Sequence, residues 1–218
     1  MASTIRVLVE QGRRRTFANA LTWPGWSRSA RSEQAALEAL VGYAVRYAPV
    51  ASADADWPQD VGLADLVVVE RVPGTATTDF GAPDAVGAEE YGPVPVPEAE
   101  RMALLVRRAW ALFDEVVAVT PPVLRKGPRG GGRDREAILA HVVGAEAAYA
   151  RCLGLHVVEP EPEDRAAVQQ LREAIAAVLS TGMPRDNPRR RLWPVAYAAR
   201  RIAWHVLDHA WEMEDRRD

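Results

Sequence analysis

The sequence predicts an α+β fold: a small N-terminal α/β module (β-hairpin, helix, strand) followed by an all-α four-helix bundle. Three observations predict it. Residues 1–72 mix β-branched runs with one helical stripe. Residues 73–97 lose periodicity to Gly, Ala, Thr and Pro, ending in "GPVPVPE". From Glu98 onward the apolar residues recur at helical spacing. The chain is therefore divided into a module at 1–72, a Pro/Gly-rich linker at 73–97 and a bundle at 98–218.

In the module, Ile5 to Glu10 ("IRVLVE") is β-branched and partly alternating, as a strand requires. Gln11-Gly12 offers a turn, and Arg15 to Leu21 can return as the second arm of a hairpin. "WPGW" (Trp23 to Trp26) interrupts the pattern. Ser32 followed by Glu33 and Gln34 is a helix start. The helix runs to about Tyr47, with Ala36, Leu37, Leu40, Val41 and Ala44 on one face. Leu63 to Val72 returns to strand. Pro73 to Pro97 reads as a linker or an ordered loop with polyproline character.

In the bundle, Met102, Leu105, Val106, Leu112, Phe113 and Val116 form the stripe of a first helix, which Pro121-Pro122 stops. Asp134 can cap a second helix running to about Leu153. A third spans about Asp164 to Leu179 with Val168, Leu171, Ile175 and Val178 aligned. The fourth begins near Pro194, where proline suits a first turn, and ends near Glu214. Four amphipathic helices in this stretch imply a bundle.

Composition narrows the function. The 218 residues carry a net charge of −3, with 48% hydrophobic residues. Near-balanced charge argues against bulk binding of nucleic acid or anionic membrane. The single cysteine, Cys152, excludes an internal disulfide framework and fits a reducing cytoplasm. The first residues lack the apolar core of a secretory signal, and no apolar run is long enough to span a membrane.

Two of the four histidines fall in "RRIAWHVLDHAWEMEDR" (Arg200 to Arg216). Ala198, Ile202, His205, His209 and Glu212 are spaced as a heptad seam, so both imidazoles should face the bundle interior. Residues four apart on a helix sit about 5–6 Å apart at Cβ, close enough for two rings to reach one ion. In the second helix, Ile138, His141, Ala145, Ala148 and Cys152 trace a similar seam, and His141 should also point inward. A lone inward histidine is usually a satisfied core residue. Three would need three sets of buried partners, and one divalent ion satisfies all three together.

The spacing constrains the kind of site. A zincin protease needs Glu directly after the first histidine, and Val206 stands there. A di-iron bundle needs Glu-x-x-His pairs. The residues three before the histidines are Ile138, Ile202 and Val206. Three neutral histidines leave the ion's charge and one coordination position open, as in catalytic sites.

On these residues the second segment resembles the DinB-like (damage-inducible) metal-binding superfamily, whose pattern is one histidine in the second helix and H-x-x-x-H in the fourth. "GRDREAILAHVVGAEAAYAR" and "RRIAWHVLDHAWEMEDR" carry it, and the resemblance covers about Pro97 to the C-terminus. It implies metal ligation, by Zn²⁺ or Ni²⁺, through His141, His205 and His209. It also implies kinship to thiol S-transferases that use mycothiol or bacillithiol. A thiol has a pKa of about 8.5, and a coordinated thiol is deprotonated. The resemblance further carries an expectation of homodimerisation, with a small-molecule thiol and an electrophile as partners. "ALTWPGWSRSARSEQAALEAL" (Ala20 to Leu40) resembles the HicB-like antitoxin domain; a generic α/β packing module reads equally well. The rival functions are a non-catalytic metal-binding stress protein and an interaction module led by the HicB-like segment.

Other residues complete the candidate set. "RKGPRGGGRDR" (Arg125 to Arg135) is either a solvated connection or a mobile loop docking an anion such as a thiol's carboxylate, through Arg129 and Arg133. It lacks the P-loop order. "PRRRLW" (Pro188 to Trp193) reads as a solvated helix approach. Glu212 can orient a ligating imidazole or sit at the rim. Glu146 is a weaker candidate for the same role and is expected at the flank of its helix as a solvated or interhelical charge. Trp204 and Trp211 read as packing residues, Cys152 as an inert core thiol, and His156 as loop or helix end.

Overall fold

A computed structural model describes residues 4–52, 54–58, 60–127, 131–183 and 192–217. It is a mixed α/β structure with a four-stranded sheet at the N-terminus followed by helices. Strands β1 (Ile5–Gln11) and β2 (Thr16–Ala20) form an antiparallel hairpin with Val9 opposite Ala18. Strand β3 (Ser27–Ala30) pairs antiparallel with β2, and β4 (Leu66–Pro73) pairs parallel with β1, giving the order β3-β2-β1-β4.

The imperfect alternation of "IRVLVE" has a physical cause: β1 is covered on both faces. Val7, Val9, Ala18 and Ala20 join the core with Ala36 and Leu40 of helix α1 (Glu33–Gly42). The opposite face carries Phe17 and Asn19, which meet the last helix: Phe17 packs edge-on against Trp204, and Asn19 accepts a hydrogen bond from Arg200. Ser32 caps α1 by accepting from the Ala35 amide. The single helix expected to Tyr47 is instead two. Tyr43 leaves the helical region directly after Gly42, the residue with least helical preference among those in α1, and α2 (Ala44–Ala51) follows.

The "WPGW" turn brings Trp23 and Trp26 onto Trp57 at 4.9 and 5.1 Å between ring centroids. Gly25 has φ +93, and a Cβ there would lie 2.8 Å from the Ala203 side chain. The turn is thus seated directly on the last helix.

The Pro73–Pro97 stretch is an ordered connection that includes α3 (Ala76–Phe80) and a short 3-10 turn at Ala88–Tyr91. Glu10, buried on β1, accepts from the Thr78 hydroxyl and the Asp84 amide. Glu90 on the short turn accepts from buried Arg200 at 2.7 and 2.8 Å and from the Gly87 amide at 2.7 Å.

Helices α4 (Val96–Val119), α5 (Arg135–Cys152), α6 (Arg165–Leu179) and α7 (Val195–Arg216) follow. α4 packs on α6 and α7, and α5 packs on α6 and α7. α7 is buried nearly all round, because the sheet and its connections cover the side the other helices leave open. Among the described residues no helix is long and apolar enough to cross a membrane.

Candidate metal centre

The three histidines converge. His141 on α5 and His205 and His209 on α7 each offer a ring nitrogen, all within 4.8 Å of one another. The ring centroids are 4.7 to 5.0 Å apart. Nε2 of His205 lies 3.1 Å from Nε2 of His141. The four-residue spacing on α7 stacks two rings on one side, and α5 supplies the third from across the groove.

The phase of α5 differs from expectation. Its buried face is Ile138, Leu139, Val142, Val143, Glu146, Ala147 and Ala150; of the expected seam Ile138 is buried, whereas His141, Ala145, Ala148 and Cys152 are half-buried. The histidine cluster therefore lies towards a flank of the helix packing. His205 is the buried member at 7% exposure, and His141 and His209 are half-buried. That position gives the cluster a route to solvent.

Glu146, expected at a flank, is fully buried. Arg172 of α6 donates to it at 3.0 and 3.2 Å and to Asp114 of α4 at 2.8 Å, so it is an interhelical charge rather than a partner of the histidines. Burial pushes its carboxyl up, and Arg172 opposes that shift.

Glu212 does reach the cluster. Its Oε2 lies 2.8 Å from Nδ1 of His209, one turn away, leaving Nε2 of that ring for other use. The bond to His209 holds the Glu212 carboxyl below its usual range, and Arg216 donates to its other oxygen at 2.5 Å. A cavity of about 280 Å³ beside Glu212 is lined by Arg28, Tyr43, Asp208, Trp211 and Arg216. A larger one, about 710 Å³, lies at the sheet end around Gln11, Arg71 and Thr75 and includes none of the histidines.

Burial disfavours the charged form of two of the rings. Burial, then the His209 charge and the Arg133 charge, lower His141 to about 4. Burial first, then its two histidine neighbours, push His205 well below the ordinary histidine range. Neutral imidazole is the ligating form. Arg133 is exposed, and its charge is felt at both rings. Arg129 and Pro188 to Arg191 lie outside the described residues.

Tyr149 and Arg201, outside the candidate set, also lie at the cluster. The Tyr149 ring lies 5.7 Å from His205, and the Arg201 guanidinium 5.7 Å from the Tyr149 ring. The signal was available, since Arg201 precedes His205 by one helical turn and Tyr149 follows His141 by two. Trp204 packs on Phe17 and Trp211 on Tyr43, both in the N-terminal segment. Cys152 is half-buried, and His156 is exposed after α5.

No family model matches the chain, and neither a curated protein nor a solved structure does.

Proposed function

We propose that α4 to α7 form a DinB-like four-helix bundle holding one divalent ion, zinc or nickel, through His141, His205 and His209. In this reading the protein is a metal-dependent thiol S-transferase of the mycothiol type, acting on small electrophiles. The observation that carries the reading is the convergence of three imidazole nitrogens within 4.8 Å.

The donor set fits such an ion. Imidazole nitrogens suit zinc and nickel, and burial favours the neutral form of His141 and His205. Among the described residues no carboxylate joins the three ligating groups, so the ion's charge is left undiminished. Bound there, a divalent ion lowers the pKa of a thiol or water that takes its open position. The chain's own residues do the rest. Glu212 orients His209 through Nδ1. The flank position of His141 admits a small molecule. Arg133 places positive charge by the entrance, which favours an anionic thiol or substrate.

A second reading is a non-catalytic ion that staples α5 to α7. It is favoured by the ligand distribution, since the cluster is shared between those two helices. Chelated and zinc-loaded protein separate the two. Accelerated conjugation of a model electrophile by a low-molecular-weight thiol, only when loaded, supports the transferase. A large fall in melting temperature on chelation with no conjugation supports the staple. An interaction module led by the HicB-like segment predicts instead that the chain captures a protein partner whether or not metal is present.

A further inference from the structure

Arg201 is 9% exposed, and its Nη1 is buried with no hydrogen-bond partner. Among the described residues it forms no ion pair. The other buried arginines are neutralised: Arg200 by Glu90, and Arg172 by Glu146 and Asp114. Two ring faces lie beside it, Trp204 at 4.9 Å and Tyr149 at 5.7 Å, and its charge is also felt at Tyr197. A desolvated guanidinium with no counter-charge is costly, and aromatic faces recover only part of that cost.

Its position gives the observation a meaning. Arg201 stands one turn before His205 on α7, which puts their Cβ atoms about 5–6 Å apart. Tyr149 of α5 lies beside both residues, so the guanidinium and the histidine cluster are neighbours. The arrangement has a buried positive charge, aromatic faces and the three histidines alongside.

We infer that Arg201 binds the carboxylate of a small molecule whose neighbouring polar atom faces His141, His205 and His209. The inference rests on the proposed metal reading for what that second atom meets. A carboxylate is the matching anion for two reasons. One guanidinium balances one negative charge, and its planar fork takes two carboxylate oxygens side by side. A dianionic phosphate would call for a second cation on the same wall, and Arg133 is exposed at the entrance. Tyr149 and Trp204 then act as the apolar sides of the slot, excluding the water that would otherwise solvate the pair. Arg201 is thus a specificity residue that selects carboxylate-bearing ligands.

The test is calorimetric titration of N-acetylcysteine and of its uncharged isostere, N-acetylcysteinamide, into zinc-loaded and metal-free full-length protein. The expected result is at least tenfold tighter binding of the acid to the zinc-loaded wild type. Arg201→Met should bring the two affinities together, and Arg201→Lys should keep part of the preference. Equal affinities in zinc-loaded wild type would overturn the carboxylate site and leave the metal reading standing. So would a preference that survives in a folded Arg201→Met. Protein that takes up no zinc but still prefers the acid keeps the carboxylate site and overturns the metal reading. Protein that takes up no zinc and shows no preference overturns both.

Discussion

Nε2 of His205 lies 3.1 Å from Nε2 of His141, a contact between two helices made by two rings that burial keeps uncharged. Two neutral imidazoles at this distance either share a single proton or direct both lone pairs at one cation. His209 adds a third nitrogen to the same small volume.

Glu212 accepts from Nδ1 of His209 and is itself held by Arg216. Glu212→Gln keeps the shape but removes the charge that orients the ring and raises its basicity. Zinc affinity should fall about 10–100-fold, as for other partners of a ligating histidine. Competition against a chromogenic chelator measures it. An unchanged affinity would place Glu212 at the rim.

The metal-free protein should lose stability as pH falls from about 7 towards 4. The folded pKa of His141, about 4, and that of His205, well below the ordinary range, are both depressed. An unfolded histidine titrates near 6.5, so below that pH the unfolded chain binds protons that the folded cluster refuses. Melting temperature against pH should therefore slope downward on the acid side, and His205→Asn should flatten the slope. Zinc, where bound, should be released over the same range.

The pair Glu146–Arg172 is buried at both ends, with side-chain exposures of 1% and 3%. Arg172→Met leaves the Glu146 carboxylate without its cation and should cost about 3–5 kcal/mol in urea unfolding. Adding Glu146→Gln should recover much of that loss. A double variant as unstable as the single one would show that packing, not charge, is what Arg172 supplies.

Gly25→Ala tests the seating of the N-terminal segment on α7. The backbone there has φ +93, and the new methyl would meet Ala203 at 2.8 Å. A loss of about 1–3 kcal/mol is expected from the combined strain and overpacking. Because α7 carries His205 and His209, zinc affinity should weaken with it.

Much of this was legible from periodicity, and the failures have physical causes. The i, i+4 histidines were placed correctly on one side of α7 because the helical repeat alone dictates it. The hairpin and the Ser32 cap were legible because turn and cap chemistry is local. β3 was not, since "SRSA" has no β-branched residue and becomes a strand only by pairing with β2. For 73–97 the periodicity leaves linker and ordered loop both open, because the choice depends on Glu10 and Arg200, distant in sequence. The phase of α5 was misread because alanines lie on every side of it. Its buried face includes Glu146, which pairs with Arg172 on α6, a residue distant in sequence.

The most direct test is a zinc titration of purified full-length protein by calorimetry with elemental analysis, beside His141→Ala, His205→Ala and His209→Ala. The account predicts one tightly held ion per chain in the wild type and its loss in each variant, with the helical content of the variants retained. Folded wild-type protein that rejects added zinc and nickel, or that binds them equally well after His205→Ala, would contradict it.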